Sequence, residues 1–142
     1  MWGKPVELVI EGEPRRKARP RVTRRGAYTP AATRRYERKV AQAAMASGER
    51  CPAGLLSVSI VLYLPRPQSR PRQTSARLWT YAEPFHVGRA DADNLAKSVL
   101  DGLGPWLGDD RRVVELHVEK RCSSDPRAVV SVRGLEDSDG NE

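Results

Sequence analysis

The chain has 142 residues, 39% of them hydrophobic and 30% charged, with a formal net charge of +7 and a pI near 9.9. This is the composition of a soluble domain: no apolar run is long enough to span a bilayer, and MWGKPVELVIEGE lacks the apolar stretch of a signal peptide. Cys51 and Cys122 are far apart without metal-ligand spacing, which predicts buried, reduced thiols in a cytoplasmic protein.

PVELVIEGE alternates, with Val6, Leu8 and Ile10 on one side, and predicts a half-buried strand. PRRKARPRVTRRGAYTP follows, dense in Arg, Pro and Gly; proline fixes φ and removes a donor, so a loop or irregular hairpin around Gly26 is expected, with Tyr28 beside the basic groups. Residues 31–47 predict a helix with Thr33 as its cap, a stripe of Tyr36, Val40, Ala43 and Ala44, and an end at Gly48. In GLLSVSIVLYLP, Leu56, Val58, Ile60 and Leu62 alternate with smaller or polar residues up to Pro65, a second strand. Residues 66–89 show neither period. They carry Arg66, Arg70, Arg72, Arg77 and Arg89 among Trp79, Tyr81 and Phe85, a mixture that nucleic-acid contacts and core burial explain equally.

RADADNLAKSVLDGL, residues 89–103, places Leu95, Val99, Leu100 and Leu103 at helical spacing, with Gly104 and Pro105 as the expected stop. LGDDRR predicts a turn. VVELHVEKR predicts a strand with Val114, Leu116 and Val118 inward and Glu115, His117 and Glu119 outward; AVVSVRG predicts a last strand. EDSDGNE reads as an acidic, disordered tail, 136–142, after a single domain over 1–135. The order of elements gives an α+β fold: about four strands in a small, mostly antiparallel or mixed sheet, packed with two main helices.

Charge points to a partner. Twelve Lys and Arg face four acids between Met1 and Lys39, so a polyanion, nucleic acid first, fits this segment. The acids of the second helix then need a reason. Asp93 suits an N-cap, but a cap does not account for Asp91, nor for Asp109 and Asp110. On a cationic surface, clustered carboxylates repel phosphate unless a divalent cation bridges them. Aspartate oxygens suit Mg²⁺, which takes one or two carboxylates and can activate water for phosphodiester hydrolysis. Lys97, one turn after Asp93 on the same face, is either an i,i+4 partner or a phosphate ligand. His86 and His117 each stand alone, and GLGPWLG lacks the Lys-Ser/Thr of a phosphate-binding loop.

HVGRADADNLAKSVLDGL followed by GDDRRVVELHVEKR resembles the RusA-type Holliday junction resolvases of bacteria and phages, which carry K-P-D-x-D-N-L-x-K-x-x-x-D-x-L and then D-D-x-Q-V. KARPRVTRRGAYTP and LPRPQSRP extend the resemblance, which runs from about Val6 to Lys120. It implies a homodimeric, Mg²⁺-dependent crossover junction endodeoxyribonuclease of recombination and repair, with Mn²⁺ as a possible substitute and four-way DNA as the partner. It also implies metal ligands at Asp91, Asp93 and Asp110, with Lys97 completing the catalytic set and Asp109 in a lesser role. Asn94 and Asp101 match further family positions. DNA contacts are expected from Lys17, Arg19, Arg21, Arg24, Arg25, Arg66, Arg70, Arg72 and Arg89. Ala90 replaces the usual proline, and Arg112 the usual glutamine; Arg112 is expected to pair with an aspartate or touch phosphate. A non-catalytic DNA- or RNA-binding module, or a nuclease for flaps or single strands, are the competing readings.

Overall fold

Alternation in the sequence becomes layering in space. In the computed structural model, which describes residues 1–18, 21–28, 30–65 and 91–136, strand β4 (Leu56–Leu64) buries every odd member of its run against two helices. It is flanked on one side by β6 (Arg127–Gly134), antiparallel, and β6 in turn by β1 (Val6–Glu11), also antiparallel. On its other side lies β5 (Val113–Cys122), parallel to it, giving a mixed sheet of order β1-β6-β4-β5. A parallel neighbour requires a crossover, and the helix α2 (Ala92–Leu107) lies on that connection. Thus the α+β architecture expected from the element order is the one observed.

Both helices lie on the same face of the sheet. Helix α1 (Ala31–Ala46) contributes Tyr36, Val40 and Ala44, and α2 contributes Leu95, Val99, Leu103 and Leu107, to a core closed below by Leu8, Ile10, Ile60, Leu62 and Val130. The helices touch through Gly102. A Cβ there would lie 2.6 Å from Val40 Cβ and 2.8 Å from the Glu37 carbonyl oxygen, so only glycine permits this approach. The hairpin around Gly26 forms as expected, from β2 (Arg21–Thr23) and β3 (Gly26–Tyr28), separate from the main sheet.

Four local expectations change. Thr33 does not cap α1: the helix begins at Ala31, and the buried Thr33 hydroxyl accepts from the Ala18 backbone N–H (3.3 Å). Pro105 does not stop α2, which continues to Leu107 and ends at Gly108 (φ 83°). Burial of Leu107, and a hydrogen bond from Trp106 Nε1 to the Glu49 carbonyl (2.8 Å), hold the last turn onto the body despite the lost donor. Val114 and Leu116 are not inward: they are 54% and 48% exposed. Pairing shifts between Leu56 and Ser57, leaving Val114 as a bulge, and among the described strands β5 is the last of the sheet, which α2 does not fully cover. Finally, Glu136 still belongs to the fold, since its N–H donates to the Met1 carbonyl (2.7 Å).

Candidate active site

The carboxylate helix is laced to the basic N-terminal segment. Ser98 Oγ donates to the Arg15 carbonyl and stands 2.9 Å from that of Leu95; the Lys17 N–H donates to the Asn94 carbonyl (3.3 Å). The cation-rich strip therefore runs along the first turns of α2, beside α1. Lys17, expected to contact DNA, has a different engagement: its ammonium lies 2.5 Å from Glu37 and 2.9 Å from Asp101. Burial alone would lower its pKa, but the bonds to Glu37 and Asp101 outweigh that and raise it.

Asp91 occupies the N-cap position of α2 without making a side-chain cap bond, and Asp93 lies in the first turn. Neither carboxylate is spent on the helix end. Of the two alternatives for Lys97, the i,i+4 ion pair with Asp93 does not form: Lys97 pairs with no acid among the described residues. Asp93, Lys97 and Asp101 instead project from successive turns into a groove of about 600 Å³ between α2 and β5. Asp110, from the 3-10 turn Asp110–Arg112, faces the same groove, whose apolar wall is Leu100, Val113, Leu116 and Val118. The helix rise separates Asp93 from Asp101 by roughly 12 Å, so these two carboxylates are spread along the groove rather than clustered. Asp91 is adjacent in the chain but does not line it.

Asp109 and Asp110 are placed differently. Asp109 caps the 3-10 turn through the Arg111 N–H (2.9 Å) and pairs with the Arg111 guanidinium (2.8 Å). Those bonds hold its carboxyl below the usual carboxylate range. Asp110, left free of that clasp, turns to the groove. Arg112 pairs with no aspartate among the described residues. Its Nε donates to the Gly54 carbonyl (2.8 Å), one terminal nitrogen to Leu107 (2.6 Å) and the other to Pro52, so it ties the end of α2 to the loop before β4. His117 projects from the opposite face of β5 and stands 3.2 Å from Glu119.

As a metal site the groove is open. Among the described residues no three His, Cys, Asp or Glu side chains form a closed cluster. Hard carboxylate oxygens on an accessible groove suit a hydrated Mg²⁺, which takes few protein ligands, rather than a caged ion.

Arg24 and Arg25 are exposed at the turn of the β2–β3 hairpin, and Arg21 contributes backbone to β2. Arg19, Arg66, Arg70, Arg72 and Arg89, with Trp79, Tyr81, Phe85 and His86, lie outside the described residues. Two features were not singled out from sequence. One is the wall of Leu100 and Val113, legible only once β5 is known to run beside α2. The other is Asp101 as a groove residue, signalled by the i, i+4, i+8 series from Asp93.

The described residues thus form an α+β domain with carboxylates in a groove beside a cationic strip. The sequence profile of the family described as "Endodeoxyribonuclease RusA" matches residues 11–133, and the chain belongs to that family. It is also similar to the "Uncharacterized protein YqaN" of Bacillus subtilis (strain 168), 30% identical over 137 residues that cover 90% of this chain and 95% of that protein. Nucleases of this family are typically metal-dependent. Among the described residues no helix is long and apolar enough to cross a membrane.

Proposed function

We propose that the chain is a Mg²⁺-dependent endodeoxyribonuclease that resolves four-way DNA junctions by paired nicks in recombination and repair. The observation that carries this reading is that Asp93, Asp110 and Lys97 face a single groove, and among the described residues none of the three is spent on capping or ion pairing, beside a cationic strip. Asp93 and Asp110, with Asp91 nearby, would hold the ion. Mg²⁺, or Mn²⁺ in its place, would supply charge neutralisation and activation of water there.

The remaining work falls to the chain's own groups. Water attacks phosphorus in line; a P–O bond forms as the bond to the 3′-oxygen breaks, and that oxygen takes up a proton. The products are a 5′-phosphate and a 3′-hydroxyl. The Lys97 ammonium, aimed into the groove, offsets charge gathering on the phosphate oxygens. Arg24 and Arg25 at the hairpin tip grip backbone phosphates outside the groove. A four-way junction has approximate two-fold symmetry, so a symmetric homodimer would present one groove to each of two opposed strands. Val114, exposed on β5, offers a second copy apolar surface to cover.

The test is a substrate panel: mobile four-way junction, linear duplex, flap and single strand, each with and without Mg²⁺. Cutting confined to the junction and to Mg²⁺ is the expected result. Preferred cutting of flaps or single strands would replace the substrate, and junction binding with no cutting would leave a DNA-binding module.

A further inference from the structure

On the flank of α1 turned away from α2 lies a second, smaller pocket of about 250 Å³, lined by Glu13, Arg15, Ala32, Arg35, Tyr36 and Lys39. Residues 32, 35, 36 and 39 form one helical stripe. Glu37 and Val40, which meet Gly102 of α2, belong to the other flank. The pocket is therefore separate from the carboxylate groove.

Two observations distinguish it from a solvated basic surface. Tyr36 is 5% exposed, and its hydroxyl is a buried polar side-chain atom without a hydrogen-bond partner among the described residues. Burial pushes its pKa up to about 12, so it stays an O–H donor at neutral pH. A buried donor with no acceptor carries a desolvation cost that an arriving acceptor relieves. Second, the Lys39 ammonium lies close to Gly12, whose φ of 96° favours glycine. Around the tyrosine stand three cations and one acid, with guanidinium forks suited to phosphate oxygens.

We infer that this pocket is a phosphate-binding subsite that takes one backbone phosphodiester of a DNA arm, away from the scissile position. Arg35, Lys39 and Arg15 supply the charge, and Tyr36 donates its hydroxyl to a nonbridging oxygen. The inference rests on the reading of the chain as a DNA-cutting enzyme, and it adds contacts on the far side of α1 from the cut.

The experiment measures binding of a labelled four-way junction in EDTA, between about 50 and 200 mM salt. Wild type is compared with the Arg35→Gln/Lys39→Gln double variant and with Tyr36→Phe. Losing one phosphate contact should lower the slope of log K against log salt by about 0.9 in the double variant. Tyr36→Phe keeps the charge, so its slope should hold while binding weakens a few-fold. Wild-type affinity and slope in both variants, with wild type still binding and cutting junctions, would overturn the subsite alone. A wild type that binds no DNA would overturn both the subsite and the enzyme reading. Inorganic phosphate, exchanged for chloride at constant ionic strength, separates the two sources of phosphate. Wild-type binding that is unmoved supports a backbone phosphodiester site. Phosphate that erases the wild-type advantage over the double variant assigns the pocket to the free ion and overturns the proposal.

Discussion

Helices α1 and α2 are each 16 residues long, lie on the same face of one sheet and press together at Gly102, yet they carry opposite charge. Helix α1 has Arg34, Arg35, Arg38 and Lys39 against Glu37 alone; α2 has Asp93 and Asp101 against Lys97. On both helices the buried stripe is apolar, so the core does not set these charges. They lie outside the core, and each helix carries an excess of one sign, basic on α1 and acidic on α2. A surface built only to hold nucleic acid would be basic throughout. The pairing of a basic helix with an acidic one fits a molecule that holds a polyanion with the first and meets it through a cation on the second.

The comparison breaks most sharply at α2. Asp93→Asn and Asp110→Asn, each removing a charge but little volume, should lower junction cleavage by about a thousandfold or more in a single-turnover assay while junction binding persists. Lys97→Met should cost about a hundredfold in the same assay with little change in melting temperature, since Lys97 forms no ion pair whose loss would register. Normal cleavage by that variant would make Lys97 a solvated surface group.

The contact between the helices gives a stability test. Gly102→Ala gains helix propensity but drives a methyl into Val40 and the Glu37 carbonyl, so the urea midpoint should fall by an amount equivalent to about 1–3 kcal/mol at unchanged m. The smallest effect lies at Lys17, which bridges the two helices through Glu37 and Asp101. Its folded pKa is raised, so its contribution is fully present below the ordinary lysine value of 10.5 and is lost as pH rises through the raised one. The Lys17→Met variant should therefore lose its stability deficit relative to wild type in denaturation curves above that pH, and a deficit that persists there would remove the ion pairs as its cause.

Where one local signal decides the structure, the sequence was readable. Alternation in β1 and β4 and the stripes of both helices predicted Leu8, Ile10, Ile60, Val40, Val99 and Leu103 in the core, and all are buried. The failures share a cause, which is that a distant contact overrides the local rule. Pro105 should end a helix, but Leu107 is pulled into the core and Trp106 anchors to Glu49. The alternation in β5 is interrupted by a bulge at Val114 and then exposed because the strand is, among those described, the last of the sheet. Arg112 lies beside two aspartates in sequence but reaches carbonyls more than fifty residues away, at Pro52 and Gly54. At the candidate site, the residues that face the groove were more legible than its shape. Asp93, Lys97 and Asp110 do face one groove, but its length, its Asp101 and its apolar wall depend on how β5 runs beside α2.

The most direct measurement labels each strand of a four-way junction in turn and maps the cuts made by wild type and by Asp110→Asn, with Mg²⁺ and in EDTA. The account predicts paired nicks at symmetric positions on two opposed strands, by wild type in Mg²⁺ and in neither of the other conditions. Junctions bound but uncut by wild type in both Mg²⁺ and Mn²⁺, or an Asp110→Asn protein that cuts at the wild-type rate, would contradict it.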